Sequence, residues 1–403
     1  MKIAIHTMYF LPDFGSAPIL MNELAGHLAG RGHEVEVVTT FPRADGAGLL
    51  RRVYSRRRMD GFVVKRFWTN RAPHPLGRLA AWNFYAAGAL LNLFSLGPGD
   101  VFFLRTPPLQ LGLPAFGAKR LRGARVLVSV QDIHPDLAIE SGILRNPAGI
   151  HFGRALEQWV YGTADRIAVI SQGFLANLLA KGVPGRKIEV IPNWVDTDFL
   201  RPLDKDNPVS RRLGLERKFV VLYSGTISIS SNLALEGVLE AARRLAPERD
   251  IVFVIAGEGL KKAELVRRAG TLGLANVAFL PFQPYDDLPA FLASADALLV
   301  PLDSRKSEFS VPSKLYNAMA AGRPILGLAD AGSEVARLLE KQRCGLAVPP
   351  DDPAAIAEAV GTLRGSAAAR LDFASNARAY VVEYLAKDRI LRSYDELIEK
   401  RMA

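Results

Sequence analysis

The chain has 403 residues, of which 49% are hydrophobic, so it exceeds one ordinary domain and can supply two cores in domains of roughly 200 residues each. Its single cysteine, Cys344, excludes an internal disulfide framework and favours a reducing compartment. The formal net charge of +10 points to nucleic acid, a membrane surface or phosphorylated ligands as partners.

The N-terminal residues predict a βαβ unit. A strand from Lys2 to His6 precedes a loop, a helix from Leu20 to Arg31 and a strand from Glu34 to Thr40. The loop lies at the carboxyl end of the first strand, where doubly wound sheets bind ligands. Gly15 and Ser16 in this loop are small enough for a phosphate or a sugar to approach the backbone. Because no Gly-x-Gly-x-x-Gly follows the strand, the pattern argues against a nicotinamide-binding domain.

A basic cluster interleaved with aromatic residues follows. It comprises Arg51, Arg52, Arg56, Arg57, Arg58, Lys65 and Arg66, together with Tyr54, Phe62, Phe67 and Trp68. No recognised nucleic-acid module accompanies the cluster, which argues against nucleic acid as the partner. Two interpretations remain open: a surface that faces anionic lipid head groups, or a solvated arginine face.

The segment between Arg78 and Asp100 contains no charged residue and approaches the length of a transmembrane helix. Asn83, Asn92 and Ser95 interrupt it, and strands are predicted on both sides of it. We therefore predict a helix that is either buried in the domain or apposed to a membrane, and the sequence leaves both alternatives open.

Polar residues follow a strand predicted from Val126 to Val130. Asp132 and His134 stand at its carboxyl end, which in a parallel sheet predicts a place in the ligand-binding cleft. The alternative is that Asp132 and Asp136 only cap the following helix. Further first-domain strands are predicted at Val63 to Phe67, Val101 to Leu104 and Ala164 to Ser171.

A polar segment with a central proline, residues 203–214, predicts a linker, after which the strand and helix pattern begins again. The sequence therefore predicts an α/β fold of two doubly wound parallel-sheet domains, residues 1–203 and 204–385. In the second domain, tight loops containing Gly225 and the run Gly257, Glu258 and Gly259 end two strands. The strands are predicted at Phe219 to Tyr223, Ile251 to Ala256, Val277 to Leu280, Ala297 to Pro301 and Pro324 to Leu328, and a helix is predicted from Leu233 to Ala246.

The segment from Ser307 to Leu328 predicts a binding loop that leads into a helix ended by Gly322. Ser313 and Lys314 stand at the helix N-terminus, where unpaired amides, the helix dipole and an ammonium group favour a phosphate or diphosphate. The alternative is a capped helix with a solvated lysine.

This segment resembles the donor-binding motif of the retaining GT-B glycosyltransferases of family 4, in the branch that includes bacterial O-antigen, capsule and colanic acid transferases. The matching residues are Pro312, Ser313, Lys314, Tyr316, Met319, Ala320, Gly322 and Pro324. Further matches are Arg31, Gly32, His33 and Val35, the run from Asp132 to Asp136, and the run from Ile191 to Asp196. The resemblance covers nearly the whole chain.

The resemblance implies the GT-B fold, with two Rossmann-like domains and a C-terminal segment, residues 386–403, that crosses back to the first domain. It also implies transfer of a hexose or N-acetylamino sugar from a nucleoside-diphosphate donor, such as a UDP-sugar, with no metal and no cofactor. The residues expected at the donor diphosphate are Gly15, Ser16, Gly225, Ser313 and Lys314. Those expected at the nucleoside are Gly257, Glu258, Gly259 and Asn317, and those expected at the reacting sugar are Asp132, His134 and Glu308.

The sequence departs from the family pattern at two places. Aligned on Gly322, the family's paired glutamates fall on Phe309 and Asn317, so a neutral amide faces the ribose and Glu308 stands one residue early. Thr226 and Asn232 stand where the family often has arginine and lysine. The diphosphate charge is then expected to fall on Lys314, with Arg305 and Lys306 as helpers.

The resemblance further implies an acceptor, a polyprenyl-diphosphate-linked glycan, that lies in a bilayer. An N-terminal apolar run broken at His6 and Pro12 predicts a strand rather than a secretory signal. We therefore expect a cytoplasmic protein, peripheral on the anionic inner face of the cell membrane. Two other functions remain open: a nucleotide-sugar epimerase of the same fold, and a non-catalytic protein that binds a sugar or a lipid surface.

Overall fold

A computed structural model of the chain describes residues 1–13, 15–42, 53–69, 75–140, 142–227, 229–302, 312–400 and 402, without the side chains of 75, 76 and 229–232. The chain divides into two compact units, Met1–Asn193 with Ile390–Ala403, and Trp194–Arg389. The sequence predicted residues 194–203 in the first domain, but they belong to the second unit. The physical reason is that Val195 and Leu200 are buried in the hydrophobic core of the second unit.

The first unit is an eight-stranded sheet flanked by helices. Its strands are β1 (Lys2–His6), β2 (Glu34–Thr40), β3 (Tyr54–Met59), β4 (Phe62–Phe67), β5 (Val101–Thr106), β6 (Arg125–Val130), β7 (Arg166–Val169) and β8 (Ile188–Val190). Its helices are α1 (Ser16–Gly30), α2 (Pro75–Leu91), α3 (Gly112–Arg122), α4 (Asp136–Glu140), α5 (Pro147–Thr163) and α6 (Gln172–Ala180). The strand order is β3-β4-β2-β1-β5-β6-β7-β8, and every neighbouring pair is parallel except β3 and β4.

Helix α1 begins at Ser16 and not at the predicted Leu20. Pro18 lies in the first turn, where the amide that proline lacks would have no partner within the helix, so the proline is compatible with an earlier start. Ser16 is therefore the first residue of a helix instead of part of a loop.

Strand β3 was not predicted. It pairs antiparallel with β4 through a two-residue turn at Asp60 and Gly61, whose φ angles of 38° and 90° are both positive. An Asp-Gly pair between two strands is typical of such a hairpin turn. The basic residues that the sequence showed as a cluster therefore include Arg56, Arg57 and Arg58 on an edge strand of the sheet.

The second unit is a six-stranded sheet in which every neighbouring pair is parallel, in the order β11-β10-β9-β12-β13-β14. Its strands are β9 (Phe219–Ser224), β10 (Ile251–Ala256), β11 (Val277–Leu280), β12 (Ala297–Pro301), β13 (Ile325–Leu328) and β14 (Gly345–Val348). Its helices are α7 (Pro208–Arg212), α8 (Ile229–Arg244), α9 (Lys262–Thr271), α10 (Leu288–Ala293), α11 (Ser313–Ala320), α12 (Glu334–Gln342), α13 (Pro353–Gly365) and α14 (Ala367–Tyr384).

The central strands of this sheet are apolar and buried on both faces, as parallel sheets covered by helices require. Helix α8 begins earlier than the predicted Leu233. The segment predicted as a linker contains α7, which begins after a capping box formed by Asn207 and Ser210. The last elements are α15 (Lys387–Asp395) and a π-helical turn (Glu396–Lys400).

The uncharged segment forms α2 and a 3₁₀ turn (Asn92–Ser95). One side is buried against the sheet through Ala81, Tyr85 and Ala89. The other side is exposed, so the helix is not fully buried in the domain. No helix in the described part of the chain is long and apolar enough to cross a bilayer.

Candidate functional site

The carboxyl edge of the second sheet brings Lys314 beside the loop that follows β9. Lys314 lies in the first turn of α11, directly after Ser313, and no side chain caps this helix in the described part of the chain. Amides at such a helix start have no partner within the helix and favour an anion. The helix ends where predicted, at Gly322, whose φ of 60° is the left-handed conformation that glycine adopts readily.

Lys314 is half-buried and has no ion pair within the described residues. Its side chain lies over Gly225, because a β-carbon added at Gly225 would overlap Cε of Lys314. Its Nζ lies 5.3 Å from the ring centroid of Tyr223. Burial lowers the pKa of Lys314 to about 8, so the ammonium is still mainly protonated at neutral pH. The structure therefore offers a cation without a described counter-charge at a helix N-terminus.

Lys314 lines a small cavity. Asn317, one turn further along α11, lines the same cavity. Ser224 at the end of β9 also lines it, and the remaining lining is apolar, from Leu222, Leu288, Leu292, Leu298, Leu299 and Ala318. The cavity volume is about 30 Å³, which is room for water rather than for a nucleoside. The structure thus brings Lys314, Asn317 and Ser224 together, and the contact of Asn317 with ribose stays a prediction.

Gly225, Gly257 and Gly259 allow two loops to pack backbone against backbone. The amide of Gly225 donates to the carbonyl of Ala256 at 2.9 Å, and that of Ile227 donates to Glu258 at 2.9 Å. A β-carbon at Gly257 would overlap the carbonyl oxygen of Gly225. Gly257 and Gly259 are therefore required by the packing of the loops after β9 and β10, whatever ligand those loops contact, whereas a β-carbon at Gly225 would meet the side chain of Lys314.

Glu258 is exposed between these glycines, and its carboxylate pairs with Lys262 at 2.7 Å, within the first turn of α9. Thr226, which stands at a position where the family often has a basic residue, accepts a hydrogen bond at its carbonyl from the hydroxyl of Tyr223 at 2.6 Å. Both residues lie at the carboxyl edge of the second sheet, Thr226 after β9 and Glu258 after β10.

In the first unit, Gly15 and Ser16 form the N-terminus of α1 at the carboxyl end of β1. Gly15 has a φ of 124°, and a β-carbon there would meet no atom within 4 Å. No side chain in the described residues caps α1. The contact of this helix start with a phosphate or a sugar stays a prediction, and the loop that carries it is shorter than predicted.

Asp132 and His134 follow β6 in the same unit. Burial raises the pKa of Asp132 to about 6, although the Arg105 guanidinium favours the ionised carboxylate. Burial, with help from Arg78, lowers the pKa of His134 to about 4, so its imidazole is neutral at physiological pH. The ring of His134 packs edge-on against Trp82, with 5.9 Å between centroids.

The alternative that Asp132 and Asp136 cap the following helix stays a prediction. Asp136 is the first residue of α4, and its carboxylate pairs with Lys181 at 2.7 Å. Lys181 also pairs with the buried Glu157 at 2.7 Å. Asp136 therefore has a structural partner, whereas the charge that acts on the pKa of Asp132 is Arg105, on the neighbouring strand β5.

Sequence reasoning missed Arg105, the penultimate residue of β5. Its Nη2 donates to Oε1 of Gln131 at 3.5 Å, while its buried Nε has no hydrogen-bond partner among the described residues. Burial lowers the pKa of Arg105, and Asp132 opposes this effect. The signal in the sequence was an arginine at the carboxyl end of an otherwise apolar strand.

Several predicted residues lie outside the described residues: Arg51, Arg52, Arg305, Lys306, Glu308 and Phe309. The side chain of Asn232 is likewise not described. Within the described ranges, no group of three or more histidine, cysteine, aspartate or glutamate side chains could hold a metal ion.

Two family descriptions match the chain. Residues 18–194 match "Glycosyl transferase 4-like domain", and residues 218–365 match "Glycosyl transferases group 1". Among relatives, WcaI of Escherichia coli (strain K12), named as a colanic acid biosynthesis glycosyl transferase, is 28% identical over 98% of both chains. WbjE of Pseudomonas aeruginosa, named as a glycosyltransferase, is 26% identical over 65% of each.

Solved structures share the fold of the whole chain. HepE of Anabaena in complex with UDP has a TM-score of 0.72 at 18% identity, covering 99% of this chain and 100% of that one. WaaG, a glycosyltransferase involved in lipopolysaccharide biosynthesis, has a TM-score of 0.72 at 17% identity, with the same coverage. These likenesses confirm the predicted architecture of two Rossmann-like domains with parallel sheets.

Proposed function

Since the chain belongs to the GT-B glycosyltransferases, with a 4-like domain at 18–194 and a group 1 domain at 218–365, we propose that it moves a sugar from a nucleoside-diphosphate donor to a lipid-linked or glycan acceptor. The process we propose is the synthesis of a bacterial surface polysaccharide. The similarity to WcaI over 98% of both chains supports this assignment.

The observation that carries the proposal is the position of Lys314. Its ammonium has no described counter-charge and lies at the N-terminus of α11, beside the loop at Gly225. When a glycosidic bond to a nucleoside diphosphate breaks, negative charge develops on the leaving phosphate, and preorganised donors there lower the barrier. Lys314 and the first amides of α11 supply such donors.

We propose that the donor is a UDP-sugar, a hexose or an N-acetylamino sugar, that is transferred with retained configuration. The complex of HepE with UDP supports a uridine nucleotide. In this proposal Lys314 and Ser313 bind the diphosphate, Asn317 contacts the ribose, and Asp132 and His134 border the reacting sugar. We also propose that no divalent metal is needed, because Lys314 and the helix amides neutralise the leaving group; full turnover in EDTA is the expected result.

The proposed acceptor is a polyprenyl-diphosphate-linked glycan, which the enzyme meets on the cytoplasmic face of the cell membrane. The acceptor's lipid would remain in the bilayer, so the enzyme must work at the interface. The exposed apolar side of α2 in the first unit supports this placement.

A panel of nucleotide sugars, incubated with and without membrane extract, tests the reaction. We expect nucleotide release from one donor to rise when the extract is added, because transfer consumes an acceptor. An altered nucleotide sugar with no acceptor consumed would instead identify an epimerase. Absence of nucleotide release and of any altered sugar under all conditions would identify a binding protein.

Asp132→Ala and His134→Ala are expected to lower transfer by on the order of a hundredfold while nucleotide binding is retained, because both residues border the sugar and not the nucleotide. His134→Phe keeps an aromatic ring against Trp82 and so separates imidazole chemistry from packing. Transfer that survives both alanine changes would show that the residues only shape the loop.

A further inference from the structure

The loop between β6 and α4 is held only in part by its own apolar packing. Ile133 and Pro135 are buried, whereas Asp132, His134 and Asp136 are half-buried. Helix α4, which begins at Asp136, has five residues, and none of them is fully buried. A helix this short is not stable by itself in water, and without buried side chains the hydrophobic effect contributes little to holding it. The C-terminal end of the loop therefore needs polar contacts to fix it.

Asp136 makes such contacts with the end of α6. Its Oδ2 lies 2.7 Å from the Nζ of Lys181 and accepts a hydrogen bond of 3.4 Å from the side-chain amide of Asn177. Lys181 is the C-terminal cap of α6, and the side chains of Phe174 and Leu178 in this helix are buried. The ion pair thus ties the short helix α4 to a helix that is itself held by apolar packing.

A second carboxylate completes this network. The Nζ of Lys181 also lies 2.7 Å from Oε1 of Glu157, whose side chain is 1% exposed. Burial raises the pKa of Glu157, and the ammonium of Lys181 opposes this effect. The carbonyl of Lys181 accepts a hydrogen bond of 2.9 Å from the side-chain amide of Gln158, the next residue of α5. Helix α5 therefore fixes Lys181 through both its side chain and its backbone.

Helix α5 also contacts the loop directly. A β-carbon added at Gly153 would lie 3.0 Å from the β-carbon of Pro135, so the helix and the loop are in close contact. Pro135 and Asp136 directly follow His134 in the chain. His134 therefore has the ring of Trp82 as a neighbour and is followed by two anchored residues.

Groups that act on a substrate must be held to within about 0.5 Å, and a buried ion pair fixes geometry more than it adds stability. We propose that Lys181 is a positioning residue for the transfer: its ion pair with Asp136 holds the loop where Asp132 and His134 border the reacting sugar. The inference rests on the proposed function, which assigns these two residues to the sugar. It adds a residue that acts through Asp136 instead of on the sugar.

Lys181→Met removes the ammonium and keeps most of the apolar stem. We expect kcat for nucleotide release to fall roughly tenfold to a hundredfold, because a small displacement of reacting groups has an effect of this size. The KM for the donor should change less than about twofold, since the loop does not hold the nucleotide. The donor is the one that the nucleotide-sugar panel identifies, with membrane extract as the source of acceptor. A folded Lys181→Met with the native kcat would overturn the proposal.

A double-mutant cycle tests whether Lys181 acts through Asp136. Asp136→Ala removes the anchor of the loop and leaves Lys181 paired with the buried Glu157. This variant should lose kcat to the same extent as Lys181→Met, and adding Lys181→Met to it should lower kcat by less than about a further twofold. Two losses that multiply would show that Lys181 acts by another route and would overturn the proposal.

A second double variant separates position from stability. Lys181→Met leaves the buried carboxylate of Glu157 without its cation, which by itself destabilises the first unit. Lys181→Met with Glu157→Gln removes this charge as well, so stability against denaturant should recover while kcat stays low. Recovery of the native kcat in this double variant would show that the loss came from the uncompensated charge, and the positioning role would be wrong.

Lys119→Met is the matched control in the same unit. Lys119 lies 2.6 Å from Oδ1 of Asp165, and the other oxygen of Asp165 accepts a hydrogen bond of 2.8 Å from the amide of Val126. This ion pair thus stands at the amino end of β6, whereas the loop follows the carboxyl end. Lys119→Met should keep the native kcat, and a loss as large as that of Lys181→Met would overturn the proposal.

The position of the loop can also be measured without substrate. In protein with isotope-labelled histidine, the imidazole signal of His134 is assigned by its absence in His134→Phe. The ring of Trp82, at 5.9 Å, makes the chemical shift of this signal sensitive to position. We expect the signal to move or broaden in Lys181→Met and to stay unchanged in Lys119→Met. An unchanged signal in Lys181→Met would show that Lys181 does not hold the loop.

Failure of the positioning role and failure of the proposed function give different results. Absence of donor-dependent nucleotide release in the native protein would contradict the transferase, and the signal of His134 would still decide whether Lys181 anchors the loop. Nucleotide release by the native protein with an equal kcat in Lys181→Met would contradict the positioning role alone.

Discussion

Lys314→Ala is expected to lower turnover of the nucleotide sugar by at least about a hundredfold, the order found when one preorganised contact to a developing charge is removed. Lys314 lies in the first turn of α11. Thr226 and Asn232 stand where the family often has basic residues, which could also contact the diphosphate. Turnover of saturating donor by the folded variant is the measurement. Lys341→Ala, which removes an exposed lysine of α12, is the matched control and should behave as the native protein does.

The same lysine gives the donor affinity a pH dependence. Its pKa of about 8 lies below the ordinary value near 10.4, because burial disfavours the ammonium. Below pH 8 the side chain is cationic and attracts the diphosphate, and above pH 8 it becomes neutral in the protein without donor. Donor affinity should therefore fall as pH rises through 8. Near-normal turnover in Lys314→Ala, or a donor affinity that does not change up to pH 9, would contradict the assignment of Lys314 to the donor diphosphate.

Gly257→Ala is expected to weaken donor binding by about tenfold or more and to lower the free energy of unfolding by about 1–3 kcal/mol. The new β-carbon would overlap the carbonyl oxygen of Gly225, and the φ of 146° at Gly257 is unfavourable for alanine. The two loops must then separate, which moves Gly225 from under the side chain of Lys314. Donor binding by calorimetry and unfolding by denaturant measure the two effects.

Gly345→Ala is the control for Gly257→Ala. A β-carbon there would overlap the carbonyl oxygen of Ile325, but the clash lies between β13 and β14, away from Lys314. This variant should lose stability to a similar extent and retain donor affinity. If both variants lose donor affinity equally, the loss reflects general destabilisation. The prediction that the loops at Gly225 and Gly257 support donor binding is then wrong.

Local pattern was enough to predict much of the fold. Strands at Lys2–His6, Glu34–Thr40, Ile251–Ala256 and Val277–Leu280 have the predicted bounds, because short apolar runs between turn residues specify strands without reference to distant residues. The helix that carries Lys314 also begins and ends where predicted. A loop rich in small and polar residues before it, and a glycine after it, are signals carried by the segment itself.

Tertiary contacts decided the rest of the first unit. The pairing of β3 with β4 sends Arg56 and Arg57 to opposite sides of the sheet, a distinction that depends on register. Arg105 and Asp132 interact in a buried place because β5 and β6 are neighbours and their carboxyl ends lie together. The composition of either strand does not indicate which strands are neighbours.

The sequence by itself determined the α/β class, the strands and the helix start that presents Lys314, since each depends on residues within a few positions of one another. Only the tertiary structure decided that Gly225 lies under Lys314 and that Gly257 contacts Gly225. These residues are far apart in the chain and meet because parallel strands bring their carboxyl ends to one edge of the sheet. The requirement for glycine at Gly257 is steric, because a β-carbon there would overlap the backbone of Gly225, and such a requirement exists only once the neighbouring backbone is in place.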